Sequence, residues 1–189
     1  MERAISWENN VSHALGRAAE TNLPVLLFFH NPDCPGCRKM AAMTYPDKDV
    51  IAFVESSFIP LRIPYNAKPY ADDFKIRGTP TLITLGPDKR EHHRTVGFLA
   101  PEALIASGLL GIGKYHFDND RYREALDRFD KVAENYPQSD SAAEAFYMRG
   151  MTLYKSSGER RSLKEAYEIL TGRYPDSEWA RRAYPYRLL

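Results

Sequence analysis

The run Leu23-Pro24-Val25-Leu26-Leu27-Phe28-Phe29 is the longest apolar stretch of the chain. It contains a proline and falls far short of the roughly 20 residues needed to cross a bilayer, whereas a buried strand has about this length. Residues 8–20 before it place Val11, Ala14, Leu15 and Ala18 at helical spacing, with Asn22 closing the segment. After it, Asn31-Pro32-Asp33 makes a turn and Cys34-Pro35-Gly36-Cys37-Arg38-Lys39-Met40-Ala41-Ala42-Met43 starts a helix, with the first cysteine at its N-terminus. Asp47 ahead of Val50, Ile51 and Val54 marks a second short helix, and residues 58–63 a strand. A polar connection leads to a third strand at 81–85, a hairpin turn at Gly86-Pro87-Asp88-Lys89 and a fourth strand at 92–96. Alternating helices and strands predict an α/β fold.

From Pro101 onward the β-branched runs and Gly/Pro turns give way to helices rich in alanine, leucine, arginine and glutamate. Tyr136-Pro137-Gln138-Ser139 with Ala142 and Ala145 recurs as Tyr174-Pro175-Asp176-Ser177 with Ala180 and Ala183, an internal repeat. Gly113, Tyr122, Ala125, Phe129 and Pro137 fall at the spacings of a tetratricopeptide repeat, which this segment resembles. In the second copy Phe146 and Gly150 fit the first helix, but the stretch from Ala166 to Pro175 is shorter than its counterpart. Solenoids usually need about three repeats to close a core, so something else should cover the ends. The α/β unit is one candidate, because the helix from Pro101 continues through Leu104, Leu109 and Ile112 without a linker. The expected organisation is an α/β domain at 1–108 and a helical repeat domain at 109–189, rigidly joined by a shared helix over 101–117.

The chain carries 26 Lys and Arg against 25 Asp and Glu, a net charge of +1. Neither nucleic acid nor a membrane surface is favoured as a partner by that balance. The N-terminal residues lack the basic flank, apolar stretch and cleavage site of a secretory signal. The expected location is the cytoplasm, or the periplasm if a signal sequence had been removed.

Chemistry concentrates at the two cysteines, three positions apart. At a helix N-terminus the unpaired amides and the macrodipole stabilise a thiolate, which makes Cys34 the nucleophile. Cys37, one turn inside the helix, is placed to attack a mixed disulfide and release the product. Two alternatives stay open: half of a zinc site, although no second cysteine pair supplies the other ligands, and two merely buried cysteines. His92 and His93 point to opposite faces of a strand and cannot easily chelate one metal. Arg160, Arg161 and Lys164 read as a solvated helix face, and no P-loop, Rossmann fingerprint or serine-hydrolase elbow is present. No metal or cofactor is called for beyond a Cys34–Cys37 disulfide.

Three motifs in order, Val25-Leu26-Leu27-Phe28-Phe29, Cys34-Pro35-Gly36-Cys37 and Ile76-Arg77-Gly78-Thr79-Pro80-Thr81, resemble the thioredoxin family over about residues 5–110. Met40, Thr44, Asp47, Val50, Phe58 and Pro60 resemble one branch of it. The resemblance implies a thioredoxin-like three-layer α/β/α sandwich, followed here by the all-α repeat segment. It implies a cis-proline at Pro80 facing the cysteines, Thr79 offering its backbone to an extended substrate, and Gly97 lining the same groove. Pro35 and Gly36 complete the implied substrate contact. Departures accompany these matches. Phe28 stands where the family has a buried acid six residues before the first cysteine, and His30 and Asp33 replace the usual tryptophans. His30 could lower the Cys34 pKa and Asp33 would oppose that, with His30 read as an exposed strand end rather than a catalytic group.

The function expected is a thiol–disulfide oxidoreductase that reduces a protein client selected by the repeat segment, with a reductase or other thiol as electron donor. The rival is a non-catalytic interaction scaffold. A periplasmic oxidase or isomerase would need the missing signal. Tyr115, Tyr147, Tyr154, Arg149 and Arg173 are residue types common at protein interfaces, but most of the aromatics are expected to fill the inter-helix core.

Overall fold

The computed structural model describes residues 4–189. By contact density the chain divides into two compact units, 1–105 and 106–189. The first unit is built on a four-stranded mixed sheet in the order β2-β1-β3-β4, made of β1 (Val25–His30), β2 (Ile59–Pro64), β3 (Thr81–Leu85) and β4 (Glu91–Val96). β1 pairs parallel with β2 and antiparallel with β3, and β4 completes a hairpin with β3. The hairpin carries a register shift at Thr84/Leu85. Ahead of the first helix, Glu8 forms a parallel bridge to Leu61 on the outer edge of β2, its amide donating to Pro60 and its carbonyl accepting from Arg62.

Five-residue burial along β1 follows from its central position, since both faces of the strand are covered. One face carries Val25, Leu27 and Phe29 against Val11, Ala14 and Ala18 of α1 (Val11–Thr21). Helix α1 starts where the Asn10 side chain accepts from the His13 amide and stops at Asn22 in the left-handed conformation. On the other face Phe28 meets Trp7 and Tyr45, and the three layers are complete. α2 (Pro35–Lys39) runs directly into a π-helical turn, Met40–Thr44, before α3 (Lys48–Ser57), which Asp47 caps. The short α4 (Tyr70–Asp73) occupies the stretch read from sequence as a polar connection. It was illegible because four residues cannot show a helical period.

α5 (Pro101–Asp118) is one continuous helix. Beyond it the second unit stacks α6 (Tyr122–Asn135), α7 (Ala142–Ser157), α8 (Arg161–Arg173) and α9 (Glu178–Ala183). The repeated Tyr-Pro-x-Ser signature has a repeated structure: Tyr136 and Tyr174 bond back to Val132 and Leu170, and Ser139 and Ser177 bond to the two tyrosine carbonyls. The Tyr174 hydroxyl also donates to the Pro137 carbonyl at 2.8 Å, tying one repeat turn to the other. Gly150 lets α7 approach Ala166 of α8, since a Cβ there would lie 2.5 Å from the Ala166 Cβ. The C-terminal end of this stack is covered by α9 and a 3-10 turn, Tyr184–Leu188, with Ala180, Ala183 and Tyr186 packed on Phe146 and Leu170. Tyr115 is buried, and Tyr147 lies against Trp179 and Tyr186. These aromatics fill the repeat core. No helix among the described residues is long and apolar enough to cross a membrane.

Candidate functional site

β1 ends at His30, and the chain turns at once. The Asn31 side chain accepts from the Asp33 amide, the Asn31 carbonyl accepts from Cys34 N, and Pro35 opens α2 at a position where its missing N–H is no loss. Cys34 is therefore the N-cap of α2, with an extended backbone and a half-exposed side chain. Cys37, one turn on, is only 6% exposed. Both are free thiols.

Across from them lies the loop before β3, where the Thr79–Pro80 peptide is cis. The Cys34 thiol donates to the Thr79 carbonyl at 3.0 Å. Gly36 lies so close to this loop that a Cβ on it would be 2.9 Å from Pro80 Cδ and 3.7 Å from Cys34 Sγ. From the far end of β4, the Gly97 amide donates to the Pro80 carbonyl at 2.8 Å, with Gly97 at φ +107°, a conformation that glycine adopts freely. The residues named from sequence, Cys34, Pro35, Gly36, Cys37, Thr79, Pro80 and Gly97, thus come from three separate segments and meet at one end of the sheet.

The two thiols are driven apart in acidity. Cys34 is held below the ordinary cysteine range, chiefly by hydrogen bonding from the Thr79 side chain and then by the Cys37 amide, with burial opposing. Cys37 is pushed up, first by burial and also by its interaction with Cys34, while the Asn31 amide, 3.5 Å from Cys37 Sγ, opposes the rise. Asn31 was legible in the sequence only as a turn residue. His30 is half-buried rather than exposed, and burial followed by the Arg62 charge holds its pKa down, so it is neutral near pH 7. Among the described residues no three His, Cys, Asp or Glu side chains gather as a metal ion would need.

Phe28, in the place of the expected acid, is 3% exposed. Its ring lies 5.3 Å from Tyr45 and 5.7 Å from Trp7. Tyr45, which sequence reading did not single out, extends this aromatic cluster toward the cysteines.

A family model described as a thioredoxin-like domain matches residues 11–108. The chain belongs to the thioredoxin-like family. Tetratricopeptide repeat models match residues 107–139 and 144–177 of its helical segment. Among solved structures, a thioredoxin from Thermus thermophilus superposes with a TM-score of 0.50 at 22% identity, over 56% of this chain and 85% of that one. A candidate disulphide-isomerase from Bacteroides thetaiotaomicron superposes with a TM-score of 0.53 at 17% identity, over 59% of this chain and 96% of that one. Both likenesses are of fold. No curated protein matches the chain. A thioredoxin-like domain with its C-x-x-C pair is thus joined in one chain to tetratricopeptide repeats, the first suited to thiol–disulfide exchange and the second to binding protein.

Proposed function

We propose that this thioredoxin-like protein is a thiol–disulfide oxidoreductase that reduces a protein client bound by its tetratricopeptide repeats. Cys34 attacks one sulfur of the client disulfide, forming a mixed disulfide and expelling the other client sulfur as a thiolate. Cys37 then attacks Cys34 Sγ, closing the Cys34–Cys37 disulfide and freeing the second client thiol. Two electrons have passed to the client, and an external thiol donor restores the pair. Thr79, Pro80 and Gly97 border the path of an extended client segment, with Pro35 and Gly36 on the opposite side. The observation that carries this reading is the placing of the two thiols across one helical turn: Cys34, half-exposed at the N-cap and bonded to Thr79 beside Pro80, has its pKa lowered, while buried Cys37 has its pKa raised.

Phe28 favours a second reading, a scaffold without redox turnover, because the position that carries a proton-handling acid in the family is apolar. Equilibrating the protein with thiol buffers and counting free thiols separates the two. A reversible pair with a potential near about −270 mV supports the reductase, and one near about −120 to −180 mV makes it an oxidant or isomerase. Failure to form any reversible disulfide leaves the scaffold.

A further inference from the structure

Tyr45 has a location that its sequence position does not explain. A regular α-helix from Cys34 onward would bond each amide to the carbonyl four residues back. Instead, the Tyr45 amide reaches the Met40 carbonyl five residues back, at 2.9 Å, closing the π turn. The additional residue rotates Tyr45 onto Phe28, at 5.3 Å, and Trp7, at 5.2 Å. Its hydroxyl comes to rest 3.8 Å from Met40 Sδ, a weak acceptor on a side chain with no exposure, three residues after Cys37. This half-buried phenol, whose hydroxyl among the described residues donates to a thioether, can exchange that weak acceptor for a better one.

We propose that the Tyr45 hydroxyl is the hydrogen-bond donor to the Cys37 thiolate during the second step of disulfide exchange, in the place left without an acid by Phe28. This deepens the oxidoreductase reading and rests on it. In that step the Cys37 S–H proton goes to the departing client sulfur. The Cys34–Cys37 bond forms as the bond between Cys34 and the client breaks, and the products are the closed disulfide and a client thiol. No external base is consumed. As negative charge grows on Cys37 Sγ, the hydroxyl turns from Met40 Sδ to the sulfur, keeping its own proton. Burial, first, and the nearby Cys37 charge raise the Tyr45 pKa, so the phenol stays a donor across the working pH range. The groups bearing on this pocket are the two cysteines, Thr79 and the Asn31 amide on the substrate side, and Arg62 behind Tyr45.

The test uses the full chain carrying Cys34→Ser, so that Cys37 titrates alone, with and without Tyr45→Phe, which keeps the ring packing. Loss of a hydrogen bond to a charged group is worth about 10- to 100-fold. Tyr45→Phe should therefore raise the pH midpoint of Cys37 alkylation by about one to two pH units. In the chain with both cysteines it should slow release of a Cys34 mixed disulfide by about 3- to 10-fold, since a higher pKa leaves less thiolate but makes each thiolate more nucleophilic, and leave Cys34 alkylation unchanged. Met40→Leu, which removes the present acceptor and keeps the volume, should leave the Cys37 midpoint where it is or lower it. An unmoved midpoint in Tyr45→Phe, or an equal rise in Met40→Leu, overturns the proposal. The midpoint is read without any turnover, so a parent chain that forms no reversible disulfide defeats the oxidoreductase reading separately.

Discussion

Replacing Gly150 with alanine puts a methyl group where α7 and α8 leave no room. The added carbon would lie 2.5 Å from Ala166 Cβ and 3.0 Å from the Ser162 carbonyl oxygen, against about 3.5–4.0 Å for carbon atoms at ease. Neither neighbour is the end of a flexible side chain, so the two helices must part by roughly 1 Å over their contact. Overpacking of this kind costs about 1–3 kcal/mol, and the better helix propensity of alanine offsets about 1 kcal/mol. A 2.5 Å approach lies at the upper end of that range, which leaves a net loss of about 2 kcal/mol and, for a unit of this size, a melting temperature lower by roughly 8–16 °C. Gly172 in α8 provides the control, because it is exposed and a Cβ there meets nothing within 4 Å. The same change at Gly172 should stabilise by up to about 1 kcal/mol. Thermal unfolding followed by far-ultraviolet circular dichroism compares both with the parent. A Gly150→Ala chain that melts at or above the parent temperature would refute the close-approach argument.

Iodoacetamide at pH 7 should modify Cys34 well before Cys37, and mass spectrometry of the quenched protein reads the order; equal rates would contradict the acidity split. Stability of the reduced protein carries the same signs. Cys34, lowered on folding, stabilises the fold above its unfolded pKa of about 8.5, an effect lost as the pH falls through the folded value. Cys37, raised on folding, costs stability as the pH climbs past that same unfolded value, and the Cys34→Ser and Cys37→Ser chains separate the two slopes in urea titrations at pH 6 to 10. Phe28→Asp should destabilise by about 3–5 kcal/mol, because it empties a buried ring position and puts a carboxyl between the rings of Trp7 and Tyr45. Burial would raise that carboxyl's folded pKa, so the loss should be larger at pH 8 than at pH 4 in urea unfolding, and equal losses would count against it.

What sequence conveys well here is anything expressed as local pattern. The apolar run gives β1, the turn after it gives the start of α2, and Asp47 caps α3 as its place before Val50 suggests. The repeated Tyr-Pro-x-Ser is read directly because each copy makes the same backbone bonds. The Thr79, Pro80 and Gly97 grouping came through family resemblance, since nothing local says that three segments meet. The π turn at Met40–Thr44 was missed, because one residue gained in a helix leaves the apolar spacing almost unchanged while rotating everything after it. Tyr45 was missed with it. The sequence asks for something to cover the repeat ends, with the α/β unit as one candidate; at the C-terminal end the cover is α9, whose Ala180 and Ala183 belong to the repeated pattern, and the turn after it.

The bridge from Glu8 to Leu61 has a bearing on how such a protein can be kept in solution at high concentration. β2 is an outer strand, and an outer strand offers unpaired amides and carbonyls to any extended chain that passes. Here Glu8 occupies part of that row, and Pro60 and Pro64 contribute no amide to the rest. At the opposite rim, β4 bears the shifted register and the charged residues Glu91 and Arg94, paired with each other. Both rims are thus blunted against strand-to-strand growth, and the sheet offers a passing extended chain little open edge on which to aggregate.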